Sequence, residues 1–221
     1  MAFKKDTTKV RSFSAGPITH NGVYQFTINK AYIRKGTQPG AQSEAIQLDG
    51  VTEAGEYASI SLWYKARNGL RVSATGKELI AIGQINELQV LLDIDELKAK
   101  NGYVKLYDRE LSQEVDIEKA IFPALIGATV GALFAMEYDA YKSEKQQKDI
   151  YSPEFKQFCD AETLASASEF LNGEEPVAIQ RYLDKLNQAE DKHIIKQAAS
   201  QPNAPVNDAV SLDDWSDDIP F

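Results

Sequence analysis

A mainly β protein carrying a few helices is the fold class this sequence predicts, on three observations. Runs of β-branched and aromatic residues dominate the first two thirds. Their side chains alternate with period two, and turn-forming Gly, Pro, Asn and Ser separate them. Only one segment inside this region changes to the three- and four-residue spacing of a helix. Helical pattern otherwise begins after residue 160. Hydrophobic residues make up 43% and aromatics 10% of the 221 residues, enough for one good core, so any disorder is expected to be local.

The elements follow in order. VYQFTINKAYIR (23–34) reads as a strand, with Tyr24, Phe26 and Ile28 on the face toward the core. GTQPGAQSE (36–44) is a loop, AIQLDGV (45–51) a short strand. EYASISLWYKARNG (56–69) has the clearest alternation in the chain: Ala58, Ile60, Leu62 and Tyr64 share one face, and Tyr57, Ser59, Ser61, Trp63, Lys65 and Arg67 the other. KELIAIGQINELQVLL (77–92) places Leu79, Ile82, Ile85, Leu88 and Leu92 at helical spacing. YVKLYD (103–108) and EVDIEKAIF (114–122) return to strand. ATVGALFAMEYDAYK (128–142) and IYSPEFKQF (150–158) are expected to pair as a hairpin across SEKQQKD. ETLASASEFL (162–171) and the 176–197 segment read as helices, the second started by Pro176. From residue 199 onward Pro, Asn, Ala, Ser and Asp replace any pattern, as in a flexible linker. Five or so strands interrupted by one helix suggest a small OB-fold-like Greek-key β-barrel over 1–160. To it are added a basic arm (1–20), a helical extension (161–198) and a disordered acidic tail (199–221).

Composition excludes several function classes. No stretch approaches the roughly 18–20 apolar residues of a membrane span, and MAFKKDTTKVRSF lacks the apolar core of a secretory signal, so a soluble, cytoplasmic protein is expected. One cysteine, Cys159, and two histidines, His20 and His193, cannot supply a transition-metal site of ordinary ligand count. No phosphate-binding glycine motif, zinc-protease motif or paired-cysteine motif is present. Asp93, Asp95 and Glu96 form the most suggestive acidic cluster, but they sit at a predicted helix end and read as a solvated terminus. No catalytic residue, cofactor or metal is expected.

Charge is unevenly spread. The net charge of −9 divides into +6 over residues 1–77, −10 over 78–204 and −5 over 205–221. Salt screens charges beyond roughly 10 Å, so a basic first third can meet a polyanion despite the overall sign. The polar face of the 56–67 strand offers what a single-strand groove needs: Tyr57 and Trp63 as rings for bases to stack on, Lys65 and Arg67 as cations for phosphates. Lys30, Tyr32 and Arg34 are a second such set, with Lys35 beside them. They share the parity of Tyr24 and Phe26, so a bulge, twist or exit from the core is needed to expose them. Tyr103, Lys105 and Tyr107 form a third set, and Lys4, Lys5 and Arg11 are candidates for a basic arm. The bland alternative is ordinary sheet surface, with Trp63 under a loop.

The sequence closes on DDWSDDIPF (213–221). Here Asp214, Asp217, Asp218, Ile219, Pro220 and Phe221 stand where the acidic, Ile-Pro-Phe-ending tip of bacterial single-stranded-DNA-binding proteins (SSBs) has the same residues. Trp215 replaces that tip's phenylalanine, Ser216 an aspartate and Asp213 a methionine. The resemblance covers about nine residues. The body is less like the bacterial core than like the divergent OB folds of SSBs from tailed phages. Together these imply a phage-encoded protein that coats single-stranded DNA (ssDNA) without sequence specificity. Its tip would recruit replication, recombination and repair proteins. The chemistry of the tip fits that role: Phe221 offers a ring to an apolar pocket and its α-carboxylate to a cation. Pro220 limits the entropy lost on binding, and the aspartates steer toward a basic rim. The rival from another class is a docking adaptor or decoy that captures such proteins without touching DNA; an enzyme ranks third. The oligomeric state is left open.

The opposed charges of the first third and the tail also predict competition in cis, the tail occupying the basic groove until ssDNA displaces it. Deleting residues 213–221 should tighten oligo-dT binding at low salt and matter less as salt rises, read by fluorescence anisotropy; equal affinity with and without the tail would refute this competition.

Overall fold

The spine of the protein is β1 (Gly22–Lys35), a fourteen-residue strand that pairs antiparallel with three others. The computed structural model of the chain describes residues 16–108, 111–138, 143, 145 and 150–199, with side chains placed through residue 188 in its last helix. Seven strands form one antiparallel sheet. Its path runs β3 (Tyr57–Lys65), β2 (Glu44–Thr52), β1, β5 (Gln113–Ile121), β4 (Lys100–Asp108), while β6 (Thr129–Tyr138) pairs with β1 and β7 (Tyr151–Cys159) with β6. The expected pairing of these two strands is therefore present, with Tyr138 opposite Tyr151.

β1 changes partners along its length. Residues 22–27 pair with β6 and residues 26–35 with β2. Near its end Tyr32 pairs with Ile121, and the Phe122 N–H donates to the Ala31 carbonyl at 2.9 Å. The β1–β2 register slips between Ile28 and Lys30, leaving Asn29 as the extra residue of a bulge. Before it Phe26 and Ile28 point inward, both 0% exposed; after it Ala31 does, also 0% exposed. The bulge thus turns Lys30, Tyr32 and Arg34 to the opposite face. Gly50 pairs with Ile28 at this point, and a Cβ there would lie 2.3 Å from the Thr27 carbonyl oxygen, so no larger residue fits.

The core gathers the inward faces of β1, β2, β3 and β6, with Phe26, Leu48, Ile60, Leu62 and Phe134 among its fully buried side chains. Phe134 meets Tyr24, Phe26 and Phe155 edge to face, at centroid separations of 6.1, 6.3 and 5.9 Å. α1 (Ile80–Leu91) packs against both β3 and β7 and buries Leu88 completely. No pairing links β3 to β7 among the described residues. Instead α1 side chains serve the β7 edge: Gln84 Nε2 donates to the Lys156 carbonyl at 3.1 Å, and Glu87 accepts from the Phe158 N–H. Cys159 is buried, which pushes its thiol up to about 12, as suits a structural thiol.

The C-terminal helices start later than their composition predicts. Asp160 Oδ1 accepts from the N–H groups of Glu162 and Thr163 and from the Thr163 hydroxyl, which holds 160–164 as a turn ending in Leu164 at φ 63°. α2 (Ala167–Asn172) then begins at a capping box of Ser166 and Glu169, and α3 spans Ala178–Ala199, so Pro176 lies ahead of the helix rather than in its first turn. α2 packs on α1. No described helix is long and apolar enough to cross a membrane.

Glu169 joins the two helices. Its Oε2 accepts from the Ser166 N–H and Oγ–H, both at 2.8 Å, and its Oε1 from the N–H groups of Val177 and Ala178 at 2.9 and 2.8 Å. Burial pushes its carboxyl up, but these four donors outweigh burial and hold it below the usual carboxylate range. A depressed carboxyl stabilises the fold above its unfolded value, here near 4.5, and that contribution fades as pH falls through the lower folded value. Glu169→Gln keeps the shape but turns an amide toward N–H donors. Urea denaturation should show a loss of about 2 kcal/mol at pH 7. The gap to the parent protein should narrow below pH 4; a gap independent of pH would show that the charge is not what matters.

Candidate nucleic-acid interface

Past the bulge, three strands place their outward side chains in cross-strand rows. Arg34, Ala45 and Trp63 form the first; Tyr32, Gln47 and Ser61 the second; Lys30, Asp49 and Ser59 the third. Successive rows lie roughly 7 Å apart, two residues along each strand. In the first row Ala45 is buried, and the Arg34 guanidinium carbon sits 5.7 Å from the Trp63 ring centroid, a cation–π contact. Trp63 remains 37% exposed, so it is not buried beneath a loop.

The second and third rows form one hydrogen-bonded network. Gln47 Oε1 accepts from Ser61 Oγ–H at 2.6 Å and from Arg34 Nη1 at 3.3 Å, and Gln47 Nε2 donates to Asp49 Oδ1 at 2.9 Å. The same Oδ1 accepts from Ser59 Oγ–H at 2.6 Å. Tyr32 O–H reaches Asp49 Oδ2 only at 3.5 Å, the outer limit of a hydrogen bond.

The rows line a groove with two electrostatic ends. One cavity of about 420 Å³ is bounded by Trp63, Arg34, Lys35, Thr37, Lys65 and Arg67, with no carboxylate in its wall. It shares Arg34, Lys35 and Thr37 with a larger one of about 1260 Å³. The floor of the larger cavity carries Tyr32, Gln47, Asp49, Ser59 and Ser61, and its far wall is Leu106, Tyr107, Glu118 and Lys119 of the β4–β5 hairpin. There three cations (Arg34, Lys35, Lys119) face three carboxylates (Glu44, Asp49, Glu118), so this end is polar but near neutral.

The cations are committed to different degrees. Lys65 Nζ lies 2.7 Å from Glu44 Oε2; that bond holds Glu44 below the usual carboxylate range, with the Tyr64 hydroxyl helping at 2.8 Å. Lys30 leaves its row and reaches the hairpin, donating to the Lys105 carbonyl at 2.6 Å and lying 3.5 Å from Glu114. Among the described residues the side chains of Lys35 and Arg67 form no hydrogen bond or ion pair.

The structure brings together Trp63, Arg34, Lys65 and Arg67 of the residues singled out in the sequence, and it modifies three expectations. Tyr32, read as an exposed ring, is 8% exposed and lies in the floor, because its row packs beside the hairpin base. Lys30, read as a phosphate contact, is a tether between sheet and hairpin. Tyr57 is 52% exposed but stands at the far end of β3, where its N–H bonds the Gly16 carbonyl, and it lines neither cavity. Tyr103 and Tyr107 do share an exposed hairpin face with Lys105, but Glu118, Asp116 and Glu114 stand opposite them, which makes that face a poor one for phosphate. Lys4, Lys5, Arg11 and the tip residues Asp213, Asp214, Trp215, Asp217, Asp218, Ile219, Pro220 and Phe221 lie outside the described residues.

Gln47 and Asp49 were not picked out from the sequence. The signal was there: Ala45, Gln47 and Asp49 alternate with Ile46 and Leu48, the same period two that exposes Trp63. Among the described residues no group of three or more acidic, histidine or cysteine side chains is arranged to hold a metal. No protein-family model matches the chain, and no curated protein matches it in sequence.

Burial, and then the nearby Asp49 carboxylate, push the Tyr32 phenol up to about 12. A raised phenol adds stability that is complete below its unfolded value near 10 and is lost as pH rises through about 12. In an alkaline absorbance titration, Tyr32→Phe should remove the ionisation near pH 12; removal of one near pH 10 instead would place Tyr32 in solvent.

Proposed function

We propose that this protein binds single-stranded DNA with little regard to sequence, along the groove between the β1–β2–β3 face and the β4–β5 hairpin. The sheet serves as a divergent OB-type barrel in which α1 fills the gap between β3 and β7. The observation that carries the reading is the cationic end of the groove. There a half-exposed Trp63 is backed by Arg34, and Lys35 and Arg67, whose side chains form no hydrogen bond or ion pair among the described residues, stand within the same cavity. Binding single strands without sequence preference takes this pairing: an aromatic face that any base can stack on, and cations that track the phosphates. The polar, near-neutral stretch beyond it accepts base edges rather than phosphates. The function proposed for the groove is binding rather than catalysis.

The tip supports the second half of the proposal. On its likeness to the bacterial SSB tip, residues 213–221 dock replication, recombination or repair proteins in the cytoplasm of the host, while the groove holds the strand.

Anisotropy of a labelled oligo-dT at low and moderate salt, with a matched duplex alongside, tests the reading. Salt-weakened binding to oligo-dT in preference to duplex is expected. Trp63→Ala should cost about 1–3 kcal/mol. Lys35→Ala with Arg67→Ala should weaken binding and flatten its salt dependence by about two phosphate contacts. Failure of the full chain and of the tail-deleted chain to bind oligo-dT at either salt would overturn the reading and leave the docking adaptor.

A further inference from the structure

Two carboxylates from β2 line the groove, and they are committed differently. Glu44 is neutralised by Lys65 and capped by Tyr64. Asp49 has no ion pair among the described residues, because Lys30 of its own row is drawn away to the hairpin. Its Oδ1 is held by two donors, Ser59 and Gln47, at 2.6 and 2.9 Å. Among the described residues its Oδ2 has Tyr32 alone, at 3.5 Å. The carboxylate is therefore fixed in orientation by one oxygen while the other keeps acceptor capacity, in the wall of a cavity of about 1260 Å³.

A carboxylate so placed repels a phosphate and a base carbonyl alike, and accepts from an amine. It lies two rows from Arg34 and Trp63, roughly 14 Å along the strands, at the end of the groove where base edges rather than phosphates are accommodated. The four bases divide there. Cytosine, adenine and guanine each carry an exocyclic amino donor; thymine and uracil present a carbonyl oxygen where cytosine presents its amine. Resting on the single-strand reading of this groove, we propose that Asp49 reads base edges, accepting from an exocyclic amine through Oδ2, so that the groove favours cytosine over uracil or thymine at one position. Gln47 and Ser59 are positioning residues in this arrangement, since they hold Oδ1 and so aim Oδ2.

Oligo-dC and oligo-dU of equal length differ only along the base edge that Asp49 would meet. Their binding to the full chain, compared by anisotropy at neutral pH and fixed salt, tests the inference. The parent protein should bind oligo-dC about fivefold or more tightly than oligo-dU, the effect of one hydrogen bond to a charged acceptor plus relief of carbonyl repulsion. Asp49→Asn, which can present an amide donor in the same place, should erase or reverse that preference, binding oligo-dU at least as tightly as the parent protein does. Equal affinities in the parent protein would overturn the role of Asp49 and leave the single-strand reading standing. A preference that survives in Asp49→Asn would also overturn it, by placing discrimination elsewhere. Absence of binding to oligo-dC, oligo-dU and oligo-dT alike would take both proposals down together.

Discussion

The extra residue in β1 is the constraint on which the rest of the interface depends. Strand side chains alternate strictly, so a continuation of the Tyr24, Phe26, Ile28 face would have buried Lys30, Tyr32 and Arg34 and exposed Ala31 and Ile33. Burying two unpaired cations costs far more than a local break in a ladder. The run FTINKAYI resolves the conflict by stepping three residues between Ile28 and Ala31 in place of two, and the backbone bulges at Asn29 to follow it. Gly50 lets β2 stay close at that point. The same event serves both faces of the sheet: it completes the core and brings Arg34 beside Trp63.

A second arrangement shapes the space in front of that face. The β4–β5 hairpin joins β1 only at its base, through Tyr32 and Ile121 and the Phe122–Ala31 bond, and then stands away from the core. Lys30 ties it back over the sheet. That tether spends a cation on architecture, which leaves the hairpin end with Arg34, Lys35 and Lys119 against Glu44, Asp49 and Glu118. The positive charge left to the groove is concentrated at the Trp63 end, in Arg34, Lys35 and Arg67. One groove thus offers two surfaces in sequence, one cationic with an exposed ring, the other polar and near neutral.

Much of this was legible in the sequence, and the parts that were not have a common physical reason. Period two in EYASISLWYK placed Ile60 and Leu62 in the core and Trp63 outside; three- and four-residue spacing placed Leu88 inward on α1; both are local properties. That a bulge, a twist or an exit from the core was needed near Lys30 followed from parity alone. What parity cannot give is the partner of each outward side chain. That Lys65 meets Glu44, that Lys30 crosses to Lys105, and that Tyr32 lies under the hairpin are contacts across 21, 75 and 89 residues of sequence. The late start of α2 was missed for a nearer cause: Asp160 competes for the backbone N–H groups of 162 and 163, and the Ser166–Glu169 capping box, readable in SASE, marks the true start. The basic bias of the first third was a sound guide to where cations lie, but it says nothing of how many are left unpaired.

Arg34 is where these threads meet. Its guanidinium lies by Trp63, donates through Nη1 to Gln47 and Ser61, and borders both cavities. A planar fork can do all three at once because stacking uses its face while hydrogen bonding uses its rim; an ammonium has no face and cannot. This couples the two ends of the groove mechanically. The bond to Gln47 Oε1 fixes the amide that in turn donates to Asp49, so the orientation of the platform at Trp63 and that of the polar floor are set by one side chain. A lysine at this position would keep the charge and lose the link, loosening the Trp63 ring and the Gln47–Asp49 network together. The groove is in that sense one site rather than two adjacent ones, and the bulge that delivers Arg34 to it is the local cause of both halves.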